Sequence, residues 1–394
     1  MSEKLYWKNP YDTEFEANIV AITKNGLIFD RTLFYPKSGN QASDVGYIVS
    51  NNEKFEVNKV SLEGKDIIHE IPLKEIAKFK IGDKIKGIIN WENRYGIMKA
   101  HSSQHIFSAL IKNKYNINTS RAFIENEEVI IQFDKAINFT KLNNILTEFL
   151  LFCTIKNLEI KTEILTTEHA ENIGNLARSE KPEVDQIRVV NVKGIDVNFC
   201  GGTHVRNSTE IGPPFLIDFK KNLEIKYLVG NKAIEKISQL NLELLKISNK
   251  LNTNINKCYE NLEKLMEANQ KLQKNHDLVI NEFFNQKIMN PDFKFDDIKL
   301  FLINFEIEYK LLKGLLALLP GNSLLLIMSE KKKVRIYSNV EKIRSNELVN
   351  ELINRYQGKG GGNPKNAQCS LEKEPKNIIQ DIQQIIKNDL AYKV

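Results

Sequence analysis

Cysteine is scarce in this chain. There are four in 394 residues, at positions 153, 200, 258 and 369, widely separated and without the spacing of a disulfide framework. In a reducing compartment such single cysteines are buried fillers, metal ligands or nucleophiles, and three of the four read as fillers. Long hydrophobic runs are also missing: none reaches the roughly 18 residues that a membrane span needs. The opening Met1-Ser2-Glu3-Lys4-Leu5-Tyr6-Trp7 has no extended apolar core and no small-residue cleavage site, so no signal peptide is expected and a cytoplasmic location follows by default. What is present fits a folded protein: 42% hydrophobic and 27% charged residues exclude intrinsic disorder. The chain is longer than the ~250–300 residues at which single cores stop growing, so more than one domain is expected. A net charge of +6 weakly favours an anionic partner such as nucleic acid.

Four regions follow from the patterning. In residues 1–90, short alternating runs such as Ala17–Ile22, Leu27–Phe29, Gly46–Val49 and Phe55–Val60 are separated by Gly and Asn turns. They predict strands, with one more at 84–90, arranged as a small β-barrel domain. Residues 91–229 mix helical spacing (94–112 and 138–157) with strands (129–133 and 187–192), an α+β domain. Residues 230–290 are helical, with Ile237, Leu244, Leu251, Cys258, Leu265, Leu272 and Val279 at seven-residue spacing. The second stripe fails at Asn254 and Asn261, which favours a helical hairpin broken near Asn252-Thr253-Asn254 over one continuous rod; a coiled-coil linker through which two chains pair is the alternative. Residues 291–394 alternate again, with strands at 298–305, 323–329 and 334–338, helices at 346–356 and 376–390, and the run Gly358-Lys359-Gly360-Gly361-Gly362 between them. The fold class is therefore multidomain α+β ending in a small α/β domain.

The chemistry concentrates in two pairs. His101 and His105 lie four residues apart, on one face of the predicted helix. No Glu follows the first His, so this is not the metalloprotease motif. Cys200 and His204 have the same offset, with Gly201, Gly202 and Thr203 between; glycines there permit a tight turn and close approach to a ligand. Three imidazoles and a thiolate make a tetrahedral Zn2+ set. A closed four-ligand zinc is usually structural while catalytic zinc keeps an open position, and the residues leave both readings open.

Three motifs in order carry a resemblance: Thr32-Leu33-Phe34-Tyr35-Pro36-Lys37-Ser38-Gly39-Asn40-Gln41-Ala42-Ser43-Asp44, then His101 to His105, then Arg188-Val189-Val190 with Cys200-Gly201-Gly202-Thr203-His204-Val205. The chain resembles the editing half of alanyl-tRNA synthetase and its free-standing relatives, the AlaX proteins. Its helical stretch and final domain are similar to the DHHA1 region, so the resemblance covers nearly the whole chain in the long AlaX arrangement. Asn40 and Asn363 depart from it, standing where the family has glycine and arginine.

The resemblance implies a zinc-containing editing domain at 91–229, a DHHA1-like domain at 291–394, and hydrolysis of tRNA(Ala) mischarged with serine or glycine. With the barrel beginning almost at Met1, no aminoacylation is expected. It points to Gln104, Thr32 and Asp44 as pocket residues, Gln104 and Thr32 being candidates for the seryl hydroxyl, and to Arg178, Arg188 and Gly360, Gly361 and Gly362 as tRNA contacts. No membrane partner is expected, and the C-terminal region is a candidate homodimer surface. The alternatives are a tRNA-binding protein with a structural zinc and no activity, or an editor of threonyl-type specificity.

Overall fold

The computed structural model describes residues 2–166, 177–178, 186–330 and 332–387. The chain divides into two compact units, Met1–Ile247 and Ser248–Val394, and is a mixed α+β protein.

The first unit opens with a one-turn helix, α1 (Leu5–Lys8), and continues into β1 (Glu14–Ile22), β2 (Gly26–Phe29), β3 (Gly46–Ser50), β4 (Glu53–Val57), β5 (Lys59–Glu63), β6 (Asp66–Glu70) and β7 (Lys84–Ile89). In β1, Phe15, Ala17 and Ile19 face the core while Glu14, Glu16 and Asn18 face water, the period-two signature of a half-buried strand. The seven strands form one sheet in the order β4-β3-β7-β1-β2-β6-β5. The expected barrel does not close. Its would-be seam, β4 and β5, is consecutive in the chain with only Asn58 between. Lateral pairing needs a turn of at least about two residues, so the strand bends at a corner instead, and the Asn58 amide donates to the Glu70 carbonyl at 3.1 Å.

Next comes α2 (Trp91–Tyr115), capped by the Asn90 side chain, which accepts from the Asn93 amide, and ended by Asn116 in the left-handed conformation (φ 52°). Every residue from Ile97 to Ile111 is buried. This exceeds what an amphipathic stripe explains, and it places a run of polar side chains inside the protein, where each needs a partner. Around α2 lie β8 (Thr119–Glu125), β9 (Glu128–Phe133), α3 (Phe139–Thr154), β10 (Ile160–Leu165), β11 (Ile187–Val192), β12 (Asp196–Phe199), β13 (Phe215–Lys220) and β14 (Glu224–Leu228). They form a four-stranded sheet, β8-β9-β14-β13, and a three-stranded one, β10-β11-β12. Ile97, Ile106, Phe107 and Ile111 of α2 share a core with Ile131, Phe149 and Val190.

Two buried ion pairs fix α2. Arg94, fully buried, donates to both carboxylate oxygens of Asp44 and to the carbonyls of Pro10 and Leu33. Lys99 pairs with Glu127 at 3.0 Å. The Glu127 carboxylate also accepts from the Asn231 and Lys232 amides, the first turn of α4 (Gly230–Lys250), where a negative group complements the helix dipole.

In the second unit, α5 (Cys258–Met289) follows a short turn at Ile255–Lys257, capped by Asn254, whose side chain accepts from the Lys257 amide. The domain beyond contains β15 (Phe293–Phe295), β16 (Ile298–Ile303), α6 (Tyr309–Leu316), β17 (Ser323–Ser329), β18 (Lys333–Ser338), α7 (Ser345–Tyr356), β19 (Gly358–Asn363), β20 (Asn366–Leu371) and α8 (Ile378–Ile385). Its sheet runs β15-β16-β17-β18-β20-β19, with only β16 and β17 parallel. The glycine run is thus a strand at the sheet edge. Residues 388–390 of the expected last helix lie outside the described residues. Among the described residues no helix is long and apolar enough to cross a membrane.

Candidate metal centre

His101, His105, Cys200 and His204 converge. One ligand atom from each lies within 4.8 Å of every other. The Cys200 Sγ is 3.4 Å from His101 Nε2 and 3.3 Å from His204 Nε2. A tetrahedral zinc with bonds of about 2.3 Å to sulfur and about 2.1 Å to nitrogen places S and N about 3.6 Å apart, so the cluster has the dimensions of such a site.

The outer contacts test the fit independently. His101 Nδ1 donates to Gln41 Oε1 at 2.6 Å and His105 Nδ1 to Asp196 Oδ2 at 2.9 Å, while His204 Nδ1 lies 3.2 Å from Ser102 Oγ, which also accepts from the Val205 amide. The first two bonds put a ring proton on Nδ1, and all three contacts turn Nε2 toward the cluster, the arrangement by which metal-binding imidazoles are oriented. Further bonds hold these partners in turn. Gln41 donates to the Thr203 hydroxyl and accepts from the Thr203 amide, both at 3.1 Å. Asp196 takes Arg178 Nε at 3.0 Å and Nη2 at 3.2 Å.

Protonation follows the same geometry. Burial opposes ionisation of Cys200, yet His101 and His204 hold its thiol well below the ordinary range. Burial keeps His101 and His204 neutral by lowering both. His105 goes the other way: against burial, Asp196 and Cys200 push it up to about 9. A metal requires a thiolate and neutral imidazoles, so Cys200, His101 and His204 are ready for one while His105 must first give up a proton.

Local sequence explains the close approach. A Cβ at Gly202 would sit 2.2 Å from the His101 ring and 2.5 Å from Gln41 Oε1, so only glycine fits there. Gln41 is delivered by a turn through Gly39 and Asn40 in left-handed conformations (φ 56° and 66°); asparagine is the side chain that best tolerates this region, which accommodates the departure at Asn40.

The remaining expected site residues divide. Gln104 is buried beside the ligands on α2, and its Nε2 donates to Ser108 Oγ at 2.8 Å, which in turn meets Thr119 Oγ1 at 2.7 Å. Thr32 is committed elsewhere. His69 Nδ1 faces the Leu27 carbonyl and therefore carries the proton, so Thr32 donates to His69 Nε2 at 2.8 Å while accepting from the Phe34 amide. Asp44 is the partner of Arg94. Neither arginine is a free phosphate contact: Arg178 is held by Asp196, and Arg188, 3% exposed, donates to the Cys200 and Gly202 carbonyls beneath the metal loop. Gly360, Gly361 and Gly362 are exposed on β19 of the second unit.

Gln41, Ser102 and Asp196 are the functional residues that sequence reading missed. Gln41 stands inside the first motif, and Asp196 precedes Cys200 by four residues; the signal was the need of each ligating imidazole for an acceptor.

Three family models match: "tRNA synthetases class II (A)" over residues 4–93, "Threonyl and Alanyl tRNA synthetase second additional domain" over 187–224 and "DHHA1 domain" over 316–390. An alanyl-tRNA editing protein AlaX-M of Methanosarcina barkeri is 32% identical, aligned over 54% of this chain and 90% of its own length. The chain belongs to the alanyl-tRNA editing protein family. The long member, AlaX-L of Pyrococcus horikoshii, is 28% identical over 96% of this chain and 97% of its own. An alanine–tRNA ligase of Saccharolobus islandicus is 23% identical over 92% of this chain but only 41% of the ligase. All four clustered ligands lie in the unit shared with the family's first two models, His204 and Cys200 within the second match.

Proposed function

We propose that this protein is a free-standing editing deacylase that removes serine, and glycine, from mischarged tRNA(Ala) by metal-assisted hydrolysis of the aminoacyl ester, with Zn2+ as the metal. The observation that carries the reading is the cluster His101, His105, Cys200 and His204, each imidazole fixed through Nδ1, in a member of the alanyl-tRNA editing family. Bound there, zinc would polarise the ester carbonyl or make a water more acidic. The protein's own groups do the rest. Gln41, Ser102 and Asp196 keep the rings in the ligating orientation, and the buried chain Gln104–Ser108–Thr119 beside His105 supplies the polar contact for the seryl hydroxyl. Thr32 leaves this role, its hydroxyl proton being given to His69. A site that hydrogen-bonds a substrate hydroxyl rejects the analogue lacking it by more than a missing methylene would allow, which is how serine is separated from alanine.

In this reading residues 1–229 present the editing site, 230–290 form a helical linker, and 291–394 contact the tRNA through β19 and its neighbours. Two cavities of about 250 and 390 Å³ share Arg335 and Gln368 beside the exposed glycines, a surface of backbone groups and cations suited to phosphates. The heptad residues Leu265, Leu272 and Val279 are exposed on α5, which supports a pairing of two chains there.

A single assay tests the function: the zinc-loaded protein with seryl-, glycyl- and alanyl-tRNA(Ala), and with seryl-tRNA for threonine. Seryl-tRNA(Ala) should be hydrolysed much faster than alanyl-tRNA(Ala), and Gln104→Ala should narrow that ratio with zinc content intact. Equal rates on the two would refute editing; hydrolysis confined to the threonine tRNA would shift the specificity.

A further inference from the structure

The three histidines of the cluster are buried, whereas Cys200 is partly exposed and Gly201 beside it fully so. Access to the centre is therefore on the Cys200–Gly201 side. Among the described residues the N-terminal segment 4–12 flanks this side. Trp7 Nε1 donates to the Gly201 carbonyl at 2.9 Å, its ring half-exposed, with Lys4 Nζ 4.3 Å above it and Tyr6 packed edge-on. Four residues on, the Tyr11 hydroxyl accepts from the Arg206 amide at 2.9 Å, and the Arg206 guanidinium lies 4.1 Å over the Tyr11 ring. The two segments run alongside each other from residue 7 against 201 to residue 11 against 206. Between them opens a polar cavity of about 190 Å³ that reaches His204 itself and is walled by Lys8, Asp12, Thr162 and Arg206 among others.

We propose that this crevice and the Trp7 ring next to it, which lies outside the cavity wall, together seat the 3′-terminal nucleotide of the aminoacylated strand, with Trp7 as the stacking platform for its base and Lys8 and Arg206 as contacts to its phosphate. The inference rests on the deacylase reading and specifies where the RNA end lies in it. The scissile ester is carried on the terminal ribose, so a base must lie within one nucleotide's reach of the metal ligands. Trp7 is hydrogen-bonded to the residue next to Cys200 and is the aromatic surface the metal loop offers on its accessible side. A ring flanked by cations is how single strands are held without sequence readout. Among the described residues Asp12 is the one acid in the cavity wall, against Lys8 and Arg206; Lys8 is shared with Glu3 at the surface, 2.9 Å away, and such exposed pairs yield readily to a phosphate.

The chain has two tryptophans, so Trp91→Phe, at the start of α2 and stacked on Tyr95, leaves Trp7 as the sole indole reporter. The full-length Trp91→Phe protein is titrated with a single-stranded RNA trinucleotide ending in adenosine, and with the same trinucleotide made abasic at its 3′ end. Saturable quenching of Trp7 by the first and not the second is expected, its midpoint weakening about tenfold in Lys8→Gln/Arg206→Gln and with rising salt. In the deacylation assay Trp7→Ala should raise KM roughly tenfold with kcat and zinc content little changed, and Trp7→Phe, which keeps the ring and loses the bond to Gly201, should restore KM. Quenching that ignores the terminal base, or none in a protein that hydrolyses seryl-tRNA(Ala), overturns the seat and leaves the editing function standing. Base-dependent quenching without hydrolysis of any charged tRNA supports the seat and overturns the editing reading.

Discussion

Both units carry a cluster of glycines beside functional polar groups, and they use them in opposite ways. In the first unit Gly202 leaves room for two buried side chains: its absent Cβ is the space that His101 and Gln41 occupy. In the second unit a Cβ on Gly360 or Gly362 would meet the Gln368 or Asn366 carbonyl of the paired strand at 2.3 Å, whereas Gly361 between them has nothing within 4 Å, and the strand is exposed. The His/Cys cluster is an interior object, each imidazole in contact with a polar partner through Nδ1, although Arg188 beneath it keeps Nε and Nη2 buried without one among the described residues; the glycine edge is an exposed strand. A glycine-rich run therefore marks close approach in both places, of the protein's own side chains in the first unit and of the neighbouring strand's backbone in the second, where Gly361 alone of the run's four glycines is left open.

The comparison can be broken at its strong end first. His101→Ala with Cys200→Ala should take metal content from about one ion per chain to none, because a four-ligand site loses half its donors, and hydrolysis should fall with it; elemental analysis of the purified variant with metal content unchanged would sink the assignment. Gly202→Ala comes next, since the added methyl must displace His101 or Gln41. Metal affinity measured by chelator competition should drop at least as far as for loss of an outer partner, and an unchanged affinity would mean the loop shifts freely. Asp196→Asn and Gln41→Ala should each cost about tenfold to a hundredfold in affinity or rate, the usual effect of removing a group that orients a ligating imidazole.

The pH response sharpens the picture of the interior site. In the metal-free protein His105 stays protonated up to about 9 because Asp196 and Cys200 hold the proton against burial, while Cys200 is ionised and His101 and His204 are neutral near pH 7. Metal binding at neutral pH then releases one proton. Affinity should rise about tenfold per pH unit between roughly 7 and 9 and level off above; a slope of two would place a second proton on the cluster. The raised His105 has the reverse effect on the metal-free fold: its stabilisation is complete below the ordinary imidazole range and is lost as pH rises toward 9. Smallest of all, Gly361→Ala should leave metal content, hydrolysis and folding within about 0.5 kcal/mol of the parent, as surface substitutions do, and should alter only the affinity for tRNA and its salt dependence.

Local patterning made much of this legible. Alternation placed the strands at 46–50, 187–192 and 323–329 within a residue or two and caught 14–22 from Ala17 onward, and the two four-residue ligand pairs did assemble into one cluster. What escaped depended on pairing at a distance. Nothing local says whether seven strands close, because closure rests on which edges meet; here Asn58 alone joins the two edge strands. Arg178, Arg188 and Asp44 read as surface or pocket groups by residue type, yet each is spent inside the protein on a partner set by the fold: Asp196, the Cys200 and Gly202 carbonyls, and Arg94. Gln41 was overlooked for the same reason, its contact lying 60 residues away at His101.

The Glu127 carboxylate ties the metal helix to the first turn of α4, holding Lys99, two residues before His101, with one oxygen and the Asn231 and Lys232 amides with the pair. A chain shortened just before residue 231 would lose both amides and leave a buried acid with Lys99 as its partner. Any fault that followed in metal uptake would be a wound at the cut, easily mistaken for a duty of the missing tail. A shortened chain that keeps residues through Ile247, the end of the first compact unit, carries its own anchor and lets the tail's contribution to tRNA binding be read by itself.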